Sequence, residues 1–499
     1  MTINLSTEHL YTQPTDLEIR FSYENGISEC IEEKKLLTQL QERATHEDFQ
    51  GKTGESLIIH PDAEFQTYRI LVFGLGKKSE FEETSIREKI AEALSKAKGL
   101  KPKKVRIVIP AEWLKKTENL SDIYQLVTEA LLLSNYRFIK YKEISEHQKY
   151  HGPEEIILPV TLSHQKHAQR GIDRGTIVSK AIIFSRNLIN EPSDVTTPGF
   201  LANIAREIAR ESEGSIEAEV FDRDDIKKLD MNAFLAVSKG SDEEPKFIRL
   251  VYKHPKSTKK VVVIGKGITF DTGGLSLKPS EHMETMKLDM SGAAAVLGVF
   301  HALKILKPEV SVVGLIAACE NMPSGKSMKP GDIVKAMNGK TIEILNTDAE
   351  GRLTLADVLS YAVTREKPDV IIDLATLTGA CMVALGEDIA GLWSNDIALT
   401  NHLKDASAKS GEKIWHMPLE HAYKPMIKST IADIRNTSSS RWGGAVTAAL
   451  FLSEFVGSKP WAHLDIAGPA FVERDIALSP KGGAGFGVGL ILSYLISYK

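Results

Sequence analysis

This sequence predicts an α/β fold in two domains, a smaller N-terminal one and a larger C-terminal one with a central, largely parallel mixed sheet flanked by helices. Three observations point there. At 499 residues the chain exceeds what one compact core holds. Beyond about residue 190, apolar runs recur, each followed by a turn with glycine or an acid: Lys260–Gly265, Ser311–Cys319, Asp369–Ala375 and Ala462–Ile466. Helical stretches such as Ser291–Leu306 and Val446–Phe455 lie between them. Apolar strands alternating with helices make a parallel sheet covered on both faces.

In chain order, residues 1–163 are rich in charge and form the N-terminal domain, a candidate for oligomer contacts. Tyr68–Leu75 and Val105–Pro110 read as strands there, and Leu120–Phe138 as an apolar helix. The polar stretch Lys140–Glu155 follows. Residues 164–190 read as a connecting helix, since His164–Asn187 mixes Arg, Lys and Ile at helical spacing. The turn-rich Asn190-Glu191-Pro192-Ser193-Asp194 ends it. Residues 191–499 form the motif-bearing domain. Within it Thr341–Leu345 alternates and carries β-branched residues, a short strand, with a helix starting near Leu353. In such sheets sites lie beyond the carboxyl ends of the strands, where the motif residues fall.

Composition excludes several classes of function. Hydrophobic residues at 42% and charged ones at 26% are ordinary for a soluble globular protein. A net charge of −4 gives no general reason to bind nucleic acid or anionic membrane, and Lys101-Pro102-Lys103-Lys104 reads as solvated surface. The three cysteines, Cys30, Cys319 and Cys381, are far apart and form no CxxC pair, which suits a reducing compartment. Cys319 and Cys381 sit in apolar runs and read as buried thiols. The N-terminus lacks a basic stretch leading into an apolar one, and no run approaches 18 uninterrupted apolar residues. The expectation is a cytoplasmic protein with no membrane span.

The chemistry concentrates in three segments. Asn346-Thr347-Asp348-Ala349-Glu350-Gly351-Arg352-Leu353 ends a strand in two carboxylates and a guanidinium on one turn. Carboxylates that close repel unless a cation sits between them. The octapeptide alone leaves two readings equal, a metal site or a solvated turn capping the following helix. The second segment runs from the strand Val261–Ile264 through Gly265-Lys266-Gly267-Ile268-Thr269-Phe270-Asp271 to Lys278-Pro279. GxGxxG fails there because Phe270 holds the third glycine's place. Gly325-Lys326-Ser327 resembles the end of a P-loop, but Glu320 replaces the first glycine. In the third segment Asp289 precedes the small-residue helix Ser291-Gly292-Ala293-Ala294-Ala295, and N-capping suffices to explain it alone. Taken together, Asp271, Asp289, Asp348 and Glu350 from three strand ends could bridge two divalent ions, with Lys266, Lys278 and Arg352 beside them. HExxH and GxSxG are absent, and His463 reads as a strand residue with a satisfied hydrogen bond.

These blocks, in register, resemble the leucyl aminopeptidases of the cytosol aminopeptidase family (peptidase family M17). Asn346–Leu353 carries that family's signature unaltered, and Gly265–Pro279 and Met286–Ala295 match its other metal-site blocks. The resemblance covers roughly residues 185–490 and only loosely the first 160. It implies a di-metal exopeptidase that releases N-terminal residues, Leu or Met preferred, in intracellular peptide turnover. By similarity Lys266, Asp271, Asp289 and Glu350 hold one metal, and Asp271, Asp348 and Glu350 the other. Zinc or manganese is implied, with magnesium or cobalt as alternatives. The implied nucleophile is a water shared by the two cations. Lys278 is implied to stabilise the oxyanion, and Arg352 to hold a bicarbonate acting as general base. Asp289 is implied to accept a hydrogen bond from the substrate's α-amine. Met286, Thr376, Leu377 and Gly379 align with positions lining the substrate cleft, against ordinary packing and turn roles for each. Peptides are the implied substrates and a homohexamer the implied assembly. Two alternatives stand beside this: a two-metal phosphoesterase, whose additional His and Asn ligands are missing, and a DNA-binding second role, against which the acidic balance argues.

Overall fold

The computed structural model describes residues 1–498 except 11, 30, 32, 117–119 and 144–151, so Cys30 and most of the polar stretch after Lys140 lie outside the described residues. The chain divides into two compact units, Met1–Ser179 with Asp475–Pro480, and Lys180–Arg474 with Lys481–Lys499. The division falls inside the helix Gln165–Asn190.

The first unit carries strands β1 (Thr2–Ser6), β2 (Leu17–Ser22), β3 (Ser56–Ile59), β4 (Ile70–Gly74), β5 (Lys104–Ile107) and β6 (Glu155–Pro159). They form one sheet in the order β1-β6-β5-β2-β4-β3, parallel except where β3 meets β4. Leu17, Ile19, Val105, Ile107 and Ile156 are buried on it against the helices Ile86–Ala97 and Leu120–Leu133.

The second unit continues with β7 (Ile216–Phe221), β8 (Lys246–Tyr252), β9 (Lys260–Asp271), β10 (Ser311–Asn321), β11 (Ile333–Lys335), β12 (Thr341–Glu343), β13 (Val370–Ala375), β14 (Ala390–Ser394), β15 (Ile414–His416), β16 (Ile434–Arg435) and β17 (Trp461–Asp465). Its main sheet runs β15-β14-β17-β13-β9-β10-β8-β7. The centre, β17-β13-β9-β10, is parallel, and antiparallel pairings flank it at β14 and at β8 and β7. The four central strands are buried on both faces, which is why their sequences are nearly unbroken apolar runs. Being parallel, they all end at the same edge, at Asp271, Asn321, Ala375 and Asp465. A small sheet, β11-β12-β16, feeds the segment after β12 towards that edge.

The stretch Ser280–Leu306 is long and apolar enough to cross a membrane, yet its apolar 18-residue window is 83% buried. Its helical core, Ser291–Leu306, packs on the sheet instead. The approach is backbone to backbone. A Cβ on Gly292 would lie 2.1 Å from the Leu374 carbonyl oxygen and 2.7 Å from the Lys266 nitrogen. One on Gly265 would lie 2.4 Å from the Gly292 carbonyl oxygen. Glycine in a helix ordinarily loses about 1 kcal/mol to alanine. Here no side chain can yield, so overpacking reverses the sign. Gly292→Ala is expected to destabilise the protein by roughly 3 kcal/mol, measured by urea unfolding, and a stabilised variant would contradict the packing.

Candidate metal centre

Lys266 and Asp271 come from β9, Asp289 from the short turn Met286–Met290, and Asp348 and Glu350 from the loop between β12 and the helix Gly351–Tyr361. The structure brings all five together. The buried Lys266 ammonium lies 2.8 Å from Asp289 Oδ1 and 2.9 Å from Glu350 Oε1, and donates to the Thr376 carbonyl at 3.0 Å. Three acceptors use its three protons. The Lys278 ammonium lies 2.9 Å from Asp271 Oδ2 and also pairs with Asp348. Asp271 Oδ1 accepts from the Gly273 N–H at 2.8 Å and from Asn321 Nδ2 at 2.7 Å. The same Asn321 amide donates to the Thr347 carbonyl at 3.0 Å, tying the end of β9 to the Asp348 loop.

Neither capping role applies. The helix Ser291–Leu306 has Met290 at its cap position without a side-chain bond, while Asp289 accepts from Lys266 and from Thr376 Oγ1 at 2.7 Å. Glu350 occupies the position before Gly351 but makes no capping bond either. Its carboxylate turns into the cluster.

The electrostatics favour a cation. Burial pushes the Asp289 carboxyl well above the usual range. It also raises Glu350, helped by the Asp271 charge, and raises Asp348. Burial pulls the two lysines down, but the carboxylates outweigh it, so both end above the ordinary lysine value. Among the described residues, Asp289 Oδ2 and Glu350 Oε2 are buried with no hydrogen-bond partner, a state that costs heavily unless a cation compensates it. One oxygen each from Asp271, Asp348 and Glu350 lies within 4.8 Å of the others. The donor set is oxygen-rich with one amine, which suits a hard or borderline divalent ion.

Arg352 is buried, and its Nη1 donates to the Asn436 carbonyl at 2.7 Å. Among the described residues its Nε has no partner, which leaves a donor for an anion. Burial lowers its pKa to about 10, which leaves it a cation at neutral pH. Thr376 touches the cluster through its carbonyl and hydroxyl. Leu377 and Met286 are half-buried, and Gly379 is exposed with open space where a side chain would stand. Asp465 accepts from Thr378 Oγ1 at 2.6 Å and from the Leu377 N–H at 3.2 Å, fixing the turn that carries Thr376. His463 Nδ1 lies 2.6 Å from Asp373, a satisfied bond, although among the described residues its Nε2 has no partner. Cys319 and Cys381 are buried. The Gly325-Lys326-Ser327 stretch is a turn in which Ser327 Oγ donates to the Met322 carbonyl at 2.6 Å.

Sequence reasoning passed over Asn321, Asn436 and Asp465. Asn321 and Asp465 end parallel strands, and the strand-end rule was the signal for them. Asn436 lies 84 residues beyond Arg352 and offered no such signal.

Comparison with known proteins gives a consistent result. The model of the cytosol aminopeptidase family catalytic domain matches residues 183–492, and that of the family's N-terminal domain matches 29–145. The chain is 41% identical over 505 residues to a probable cytosol aminopeptidase of Persephonella marina, covering 100% of each. It is 43% identical over 480 residues to one of Aquifex aeolicus, covering 95% of this chain and 94% of that one. Among solved structures, a tomato leucine aminopeptidase mutant superposes with a TM-score of 0.86 at 34% identity, over 99% of this chain and 96% of that one. The bottromycin maturation enzyme BotP in complex with Mn gives 0.83 at 30% identity, over 97% and 99%.

Proposed function

This chain belongs to the cytosol aminopeptidase family and is a metal-dependent aminopeptidase, and from that premise we propose how its residues divide the work. Lys266, Asp271, Asp289 and Glu350 would hold one divalent ion, and Asp271, Asp348 and Glu350 a second. Zinc or manganese is proposed, with magnesium or cobalt in the looser position. When bound, such ions acidify a shared water and polarise the scissile carbonyl. The observation that carries this assignment is the pair of buried carboxylate oxygens, Asp289 Oδ2 and Glu350 Oε2, that no group among the described residues satisfies.

The remaining roles belong to the chain's own cations and cleft. Lys278 is held at the mouth of the cluster by Asp271 and Asp348, with about 15% of its side chain exposed, where its ammonium can meet a developing oxyanion. Arg352 would hold a bicarbonate through the donor left free at Nε. Asp289 would accept a hydrogen bond from the substrate's α-amine, which selects free N-termini. Met286, Thr376, Leu377 and Gly379 would line the side-chain pocket, and a flexible thioether there suits leucine and methionine. We place the enzyme in the cytoplasm as a homohexamer acting on peptides.

A leucine anilide assay tests the reading. Metal-stripped protein is expected to be inactive, with turnover returning on addition of Mn²⁺ or Zn²⁺. Absence of turnover in every metal state would sink it.

A further inference from the structure

We propose that Asn436 is a positioning residue that sets the geometry of the Asp348-bearing loop, and thereby the affinity of the second metal position. This rests on the metal assignment above. Asn436 is fully buried, directly after β16. Its polar groups are directed at one segment of chain far away in sequence. The backbone N–H donates to the Glu343 carbonyl at 2.9 Å, extending the pairing of β16 with β12. The side-chain Oδ1 accepts from the Leu345 N–H at 2.9 Å and from the Asn346 N–H at 3.4 Å. Nδ2 donates to the Asn346 carbonyl at 2.7 Å and to that of Ala349 at 3.4 Å. The Asn436 carbonyl accepts from Arg352 Nη1 at 2.7 Å.

Asn436 thus grips the chain before, within and after the turn that carries Asp348 and Glu350, without touching either carboxylate. Asparagine fits this task because its amide both donates and accepts. An aspartate of the same shape would still accept from Leu345, but would turn an oxygen towards the carbonyls of Asn346 and Ala349. That half of the clamp would open. Glu350 and Asp271 are held independently, by Lys266 and Asn321. The first metal position, built on Lys266 and Asp289, should therefore keep its geometry. Asp348, whose side chain is 34% exposed, has Lys278 as its one ion-pair partner among the described residues and depends on its loop.

The experiment titrates Mn²⁺ into the metal-stripped full-length protein by calorimetry, for wild type, Asn436→Asp and Asn436→Ala. Amide hydrogen exchange at Leu345–Ala349 is followed in parallel. In both variants the tighter binding event is expected to stay within threefold of wild type. The weaker event should lose at least tenfold in affinity, and the Leu345 amide should exchange faster. Wild-type affinity at both positions with unchanged exchange would overturn the proposal. So would loss of both events in step with the melting temperature, which would make Asn436 a folding residue only. A wild-type protein that binds two Mn²⁺ ions while the variants match it sinks only the clamp. One that binds none removes the metal assignment and the clamp together.

Discussion

Glu350→Gln is expected to abolish aminopeptidase activity, lowering kcat on the order of a thousandfold or more, while the fold survives. Glu350 is, with Asp271, one of the two carboxylates that the proposed assignment shares between both ions: Lys266 holds one of its oxygens at 2.9 Å, and the other is buried with no hydrogen-bond partner among the described residues. The amide keeps the shape but offers a neutral oxygen on one side and a competing N–H on the other. Stability should change little, because the four clustered carboxylates outnumber Lys266, Lys278 and Arg352 by one, and the substitution removes that excess. Asp348→Asn should behave in the same direction. Circular dichroism and anilide turnover measured on the same preparations check both parts, and full activity in both variants would contradict the site.

Gly351→Ala is the second large effect, and it works without altering any charged group. A Cβ at that position would lie 2.4 Å from Lys266 Cε and 2.7 Å from Nζ. These atoms are the far end of a flexible side chain, so the lysine can move aside. The cost then falls on function: the ammonium leaves Asp289, Glu350 and the Thr376 carbonyl. Misplacement by about 1 Å at a reacting centre costs roughly a hundredfold in rate. A hundredfold loss of kcat with a melting temperature within a few degrees of wild type is expected. Unchanged kcat would show that Lys266 has no part in the chemistry. The contrast with Gly292→Ala, where backbone meets backbone, separates a glycine needed for the site from one needed for the fold.

Much of this arrangement was legible in the chain. The apolar runs that became β9, β10, β13 and β17 announced a parallel centre, and carboxylates at or beyond the ends of those runs announced where chemistry would sit. Lys266, Asp271, Asp289, Asp348 and Glu350 could be grouped because charge is scarce in such surroundings. The rest depended on contacts that leave no periodic trace. β7 alternates with exposed Glu217 and Glu219, and the apolar run of β8 is broken by Lys246 and Arg249, so they did not stand out as part of the same sheet. Asp289 looked like a cap because the helix starts two residues later, and its carboxylate is drawn inward by Lys266 and by the Thr376 hydroxyl, both distant in sequence. Thr376 acts partly through its main-chain carbonyl, a group every residue possesses, and the Asn436 side-chain amide grips backbone groups some 90 residues away in sequence.

The three-way embrace of the Lys266 ammonium bears on how the enzyme is assembled. Four acidic side chains gathered in a nascent chain would drive their strand ends apart. A lysine already seated among them, with Lys278 at the rim, acts as an internal counter-ion and lets the polypeptide reach its final form before any metal arrives. On the proposed assignment, folding and the later uptake of ions would be two separable events.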